Sequence, residues 1–392
     1  MHDTLQPVLI LLGAAVLVVV VCRSLRLPTL LGYLVMGAAI GPHALGLIYD
    51  TGEVSVLAEI GVAFLMFSIG LEFSLPKLKA MRRIVFGLGL AQVLATLLAV
   101  LAVALLAGLP WQTGVALGGA LAMSSTAILA KLLAERLELN TEHGRRIIGI
   151  LLFQDLAVVP LLIIIPALAA PPEQMLADLA WAFIKAAVVL TVLLFIGQRL
   201  MRGWFHLVAR RKSSELFVLN VLLVTLGIAY ITESAGLSLA LGAFVAGVLI
   251  SETEYRYQVE DDIKPFRDIL LGLFFVSIGM LLDVGEIVRN GWISALAGGF
   301  ILAKTLLVFG LARAFGADAA VALRAGLALG ACGEFGFVLL SLANSAGVLA
   351  PEVLQPVLAA MVLSMLVTPY IMDRSEHIVR RLVSAEWMTR AI

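Results

Sequence analysis

The chain has 392 residues, 61% of them hydrophobic and 14% charged, with a mean hydropathy of +1.06. A soluble domain of this length is far more polar, so the composition predicts an all-α polytopic membrane protein. The formal net charge of +0 gives no ground for nucleic-acid binding, and the two cysteines, Cys22 and Cys332, supply no disulfide framework.

In chain order, apolar runs between polar or Gly/Pro turns predict thirteen spans. The first six run from Pro7 to Val21, Pro28 to Ile40, Val54 to Leu71, Ile84 to Ala107, Thr113 to Leu133 and Ile147 to Ala169. The seventh runs from Met175 to Gly197. The last six run from Leu216 to Ile231, Leu237 to Ile250, Pro265 to Leu282, Trp292 to Ala312, Val321 to Ala343 and Val353 to Met372. A cleaved leader is not expected: Met1-His2-Asp3-Thr4 carries no basic residue, and Arg23 and Arg26 follow the first run.

Cation placement sets the orientation. All of the 27 Lys and Arg residues except Arg289, Lys185 and Lys304 fall on one side of this map, in groups such as Lys77, Lys79, Arg82 and Arg83, or Lys131, Arg136, Arg145 and Arg146. Arg26, Lys212 and Arg390 belong to the same side. The positive-inside rule makes that side cytoplasmic, with the N-terminus outside and the C-terminus inside, which requires an odd number of spans.

The chain also echoes itself. Leu31-Gly32-Tyr33, Gly37 and Ile40 recur as Leu241-Gly242-Ala243, Gly247 and Ile250, and Ser68-Ile69-Gly70 recurs as Ser277-Ile278-Gly279. The displacement is seven spans, an odd number, so the copy is inverted. Inverted repeats are typical of secondary transporters, with the ion site near the midplane. The fifth and twelfth spans correspond, and each is interrupted: Met123-Ser124-Ser125-Thr126-Ala127 in one, Gly330-Ala331-Cys332-Gly333-Glu334-Phe335-Gly336 in the other. Broken helices in matching positions point to a transport site, because their ends expose carbonyl oxygens and N–H groups. Ser124, Ser125 and Thr126 also admit a purely structural reading, each bonding back to a carbonyl one turn away.

Four ionisable residues lie deep within spans: Asp155, Lys185, Lys304 and Glu334. A carboxylate at mid-helix costs about 2.5–3.5 kcal/mol on insertion scales, so Asp155 is expected to serve a function. It suits a monovalent cation, potassium or sodium, which needs oxygen ligands and one compensating charge. It equally suits a proton, and competition for one carboxylate gives exchange. Gln154 is expected to orient that carboxylate or to offer a carbonyl ligand. Glu334 either offsets the positive end of a half-helix or binds cation directly. Lys304 is a charge partner for Asp155 or Glu334, or part of a fixed ion pair. Lys185, outside the repeat, reads as a packing, interface or lipid contact. No nucleophile–base pair, P-loop or metal-ligand spacing of histidines stands out, and Gly87-Leu88-Gly89-Leu90 lacks the third glycine of a dinucleotide fingerprint, so the chain does not read as an enzyme. A ligand-gated cation channel, a non-transporting membrane sensor and an organic-anion symporter remain as alternatives from other classes.

Phe153-Gln154-Asp155, the Ser124-Ser125-Thr126-Ala127 break, Leu30-Leu31-Gly32-Tyr33, Gly333-Glu334-Phe335-Gly336 and Pro265-Phe266-Arg267 through Leu271-Gly272-Leu273-Phe274-Phe275 resemble the Kef-type potassium–proton antiporters of the second cation–proton antiporter family. The resemblance extends over the whole chain. It implies a sodium/proton antiporter-like fold in residues 1–372, with core and dimerisation helices and two broken helices that cross. It implies Asp155 as the shared cation and proton site, with Gln154, Ser125 and Thr126 beside it. A homodimer in the bacterial inner membrane, elevator-like alternating access and electroneutral exchange also follow from it. Residues 373–392 would form a basic cytosolic segment leading to a nucleotide-binding regulatory domain, and nucleotide enters only through such a domain. Tyr257-Gln258-Val259 departs from the His-Ala-Leu common in glutathione-gated members, which argues against that gating.

Overall fold

The computed structural model describes residues 2–25, 29–48, 52–72, 75–171, 173–211, 213–283, 285, 289 and 291–383. Arg26, Pro28, Lys212, Arg390 and the end of the C-terminal segment, residues 384–392, lie outside the described residues. Every regular element among the described residues is helical. In order they are α1 (His2–Ser24), α2 (Thr29–Ile40), α3 (Gly52–Glu72), α4 (Leu75–Ala80), a π-helical turn (Ile84–Gly89), α5 (Leu90–Leu106), α6 (Trp111–Ala122), α7 (Thr126–Glu135) and α8 (Glu142–Ala167). Then come α9 (Met175–Val192), a second π-helical turn (Leu193–Gly197), α10 (Gln198–Ala209), α11 (Ser214–Ser234), α12 (Leu239–Ser251) and α13 (Arg256–Met280). The last are α14 (Gly291–Ala314), α15 (Ala319–Leu329), α16 (Glu334–Ser345) and α17 (Pro351–Val383).

Six of these stretches are long and apolar enough to cross a membrane, and α15 with α16 makes a seventh, bent by 45° at its break. Leu9–Ser24, Thr29–Ile40 and Leu239–Ser251 are shorter apolar helices. The sequence map differs in two places. The fourth span opens in a π-helical turn, which apolar periodicity does not signal. The seventh continues through a second π-helical turn into α10, an amphipathic helix that buries Met201, Phe205 and Val208 and leaves Arg199 and Arg202 exposed. The fifth span is two helices, α6 and α7, parted at the interruption the sequence predicts.

The chain forms two compact units. The first comprises Met1–Val20, Gly32–Pro76 and Leu162–Leu281. Within it, glycines bring helix backbones into direct contact. A Cβ on Gly37 of α2 would overlap the Val276 backbone in α13, and one on Gly279 of α13 would overlap Leu34 and Ala38 in α2. A Cβ on Gly70 of α3 would overlap Phe244 and Val248 in α12, and one on Gly247 of α12 would overlap Phe67 and Leu71 in α3. Small residues permit this approach, and dispersion and weak C–H···O contacts then hold the pairs in lipid, where apolar burial gives no advantage. Lys185 of α9 is half-buried, with its ammonium against Gly236 in the turn after α11, where a cation faces a helix C-terminus.

The second unit comprises Val21–Leu31, Lys77–Leu161 and Leu282–Ile392. Its core joins Leu129 and Leu133 of α7, Ile150 and Leu151 of α8, Val308 and Ala312 of α14, and Leu329 of α15. This packing fixes α7 and α8, and with them Thr126, Gln154 and Asp155.

Candidate functional site

Hydroxyl-bearing residues stop α6. Met123 is extended, with φ −71° and ψ 143°, and Ser125 caps α7 by accepting the Ile128 N–H on its Oγ. Serines at such a point divert backbone groups from the helix ladder. In the matching interruption Gly333 is extended ahead of Glu334, the first residue of α16. A Cβ at Gly333 would overlap the Ser124 carbonyl and the Ser125 nitrogen, so only glycine lets the two breaks cross this closely.

A buried polar network holds the crossing. Gln154 is wholly buried, and its amide is used at both ends. Its Oε1 accepts from the Ser124 N–H at 2.8 Å, and its Nε2 donates to Gln92 Oε1 at 2.8 Å and reaches Ser124 Oγ at 3.5 Å. Gln92, on α5, donates in turn to the Ala122 carbonyl at 3.2 Å and to Thr96 Oγ1 at 3.1 Å. The backbone groups fix the orientation of both amides, because Ser124 N–H can only donate and Ala122 C=O can only accept.

Lys304, 2% exposed on α14, donates to Met123 O at 2.9 Å, Ser124 Oγ at 3.0 Å and Ala331 O at 3.2 Å. Those three oxygens match the three donors of an ammonium. One carbonyl comes from each break, at the negative C-terminal ends of α6 and α15. Each such end carries roughly half a negative charge, so one ammonium offsets both. Glu334 is 2% exposed, stands at the positive end of α16, and accepts from Ser125 Oγ at 2.6 Å on Oε2.

Asp155 and Thr126 differ from these neighbours. Both are half-buried, and Thr126 Oγ1 donates to Asp155 Oδ1 at 3.0 Å across α7 and α8. Ser124 Oγ is fully engaged, donating to Leu329 O at 3.0 Å and accepting from Lys304. The structure therefore gathers all seven singled-out residues at one crossing but sorts them. Asp155 and Thr126 reach accessible space, while Gln154, Ser124, Ser125, Lys304 and Glu334 are buried in the frame. Sequence reasoning missed Gln92, Thr96 and Ser364, whose Oγ accepts the Cys332 N–H at 3.1 Å. The i, i+4 spacing of Gln92 and Thr96 in an apolar run was the available signal. Cys22 and Cys332 are free and buried.

Residues 9–373 match the family described as sodium/hydrogen exchanger, transmembrane. The chain is 41% identical over 401 residues to a putative K(+) efflux antiporter KefB of Alkalimonas amylolytica, covering all of this chain and 59% of that protein. It is 41% identical over 360 residues to the chloroplastic K(+) efflux antiporter 1 of Arabidopsis thaliana, covering 90% of this chain and 30% of that protein. The chain thus spans about three-fifths or less of the length of these relatives. Among solved structures, the sodium proton antiporter MjNhaP1 of Methanocaldococcus jannaschii at pH 8 superposes with a TM-score of 0.72 at 18% identity, over 98% of this chain and 100% of that one.

Proposed function

The chain belongs to the sodium/hydrogen exchanger family, and on that premise we propose that it is a secondary antiporter that exchanges a monovalent cation for protons at Asp155. The observation that carries this reading is the placement of Asp155: a partly buried carboxylate inside the apolar α8, bonded to Thr126 at the head of a broken helix. Potassium efflux is the first assignment, supported by the names of the relatives at 41% identity, and sodium is the second.

In this reading the proton and the cation occupy Asp155 in turn. Protonated Asp155 is neutral; release of the proton to one side leaves a carboxylate that takes the cation, with Thr126 Oγ1 turning a lone pair toward it. Lys304 and Glu334 keep the helix ends neutral throughout, so charge changes only at Asp155. One proton then exchanges for one cation, and the cycle is electroneutral.

Thirteen spans arranged as an inverted repeat belong to the same proposal. The glycine contacts support it: Gly37 meets Val276 as Gly247 meets Phe67, and Gly279 meets Leu34 as Gly70 meets Phe244. Each pair maps onto the other under the sequence repeat. Ser125 and Glu334, which bond to each other, stand 209 residues apart, nearly the same displacement. The cation distribution supports a cytoplasmic C-terminus. A homodimer, an inner-membrane location and a regulatory continuation beyond the last helix complete the proposal.

The decisive experiment is proton flux in proteoliposomes with potassium or sodium as the exchanging ion. Asp155→Asn should abolish cation-dependent flux while leaving the folded protein intact by size exclusion; full flux in that variant would reject the assignment.

A further inference from the structure

A polar cavity lies in the same unit as the crossing, at its basic end. It has a volume of about 500 Å³ and is lined by Arg83, Arg145 and Arg146, by Asn140 and Glu142, and by the apolar Ile84, Leu88 and Phe315. Three guanidinium groups around one cavity repel one another unless an anion joins them. Among the lining residues the one carboxylate is Glu142, and it is committed: Arg146 holds its Oε1 at 2.9 Å. Arg146 also donates to the Phe315 carbonyl at 3.3 Å, and its Nε is buried with no hydrogen-bond partner among the described residues. No ion pair to Arg83 or Arg145 occurs among the described residues.

We propose that this cavity binds a phosphate group, and that its source is the headgroup of an anionic phospholipid. Guanidinium forks match phosphate oxygens in geometry as well as charge, and the buried Arg146 Nε supplies a donor awaiting an acceptor. Position selects the source. Arg83 immediately precedes the apolar stretch Ile84–Leu106, and Arg146 precedes the apolar run that begins at Ile147. Both arginines therefore sit where hydrocarbon gives way to headgroups, on the basic side of the chain. Basic pockets between helices at that depth bind phosphorylated lipid heads. The apolar part of the lining, Ile84, Leu88 and Phe315, suits an acyl chain where a free phosphate would find nothing to contact.

The cavity also touches the transport helix. Arg146 and Asp155 share α8, about 13 Å apart along the axis at 1.5 Å per residue. The wall formed by Ile84 belongs to the π-helical turn, and a Cβ at Gly149 of α8 would press on the Ile84 side chain. A lipid seated here packs against the helix that carries the exchanging carboxylate.

The test reads binding, so it stands apart from the exchange reading. The purified full chain in neutral detergent is titrated with phosphatidylglycerol, with phosphatidylcholine and with glycerol 3-phosphate, and bound lipid is counted by native mass spectrometry alongside the melting temperature. Arg83→Gln/Arg145→Gln removes two exposed guanidinium groups that take no part in the exchange site. Lys79→Gln/Arg82→Gln removes equal charge from the same stretch without touching the cavity. Wild type and the second variant should retain phosphatidylglycerol, and the first should bind it roughly tenfold or more weakly, given the contribution of each cation near an anionic lipid. Equal competition by glycerol 3-phosphate would keep the phosphate site and assign it a soluble ligand. Unchanged binding in the first variant, or equal loss in both, would overturn the proposal.

Discussion

Gln154 and Ser124 are joined at 2.8 Å, backbone N–H to amide oxygen, so the residue beside Asp155 is a clamp on the broken helix. It fastens α8 to the end of α6 and, through Gln92, to α5. Its carbonyl already accepts one backbone N–H, so the amide is oriented by the break it holds.

Gln154→Leu should therefore lower stability before it alters ion preference. It leaves the Ser124 N–H and Gln92 Oε1 buried without partners, each costing about 1–3 kcal/mol. Thermal unfolding in detergent measures the loss, and an unchanged melting temperature would remove the clamp role.

Thr126→Val tests the other side of the carboxylate. It keeps shape and burial but deletes the donor to Asp155 Oδ1. A hydrogen bond to a charged group contributes about 1.5–3 kcal/mol, so the apparent KM for the cation should change by about tenfold or more. Thr126→Ser should restore it. A wild-type KM in the valine variant would take Thr126 out of the site.

Lys304→Ala should weaken the fold more than it weakens exchange. Three oxygens lose their donor and two helix ends lose their counter-charge. Breaking a buried charge arrangement of this kind costs about 3–5 kcal/mol, read as a lower melting temperature, with residual flux above that of Asp155→Asn. Wild-type stability in the alanine variant would contradict the role given to Lys304.

Much of this was legible in the sequence, for a physical reason in each case. Asp155 declared itself because a carboxylate in an apolar run is costly, and the two interruptions did so because serines and glycines break helices. The partners of Lys304 were not legible. Two of its three acceptors are backbone carbonyls, which every residue carries, so no letter in the sequence marks them. Gln154 stood next to Asp155 and invited a shared role, yet successive side chains on a helix diverge by about 100°, and Gln154 turned inward. Of the partners of Gln92 only Thr96 lies on its own helix; the other two come from α6 and α8, far away in the sequence.

The three bonds of Lys304 have a mechanical result. One side chain from α14 grips a carbonyl from each interrupted helix, while Gln154 ties one of those helices to α8. Sliding either half past the other would strand several buried donors and acceptors at once. The crossing consequently resists shear and would move, if at all, as a single load.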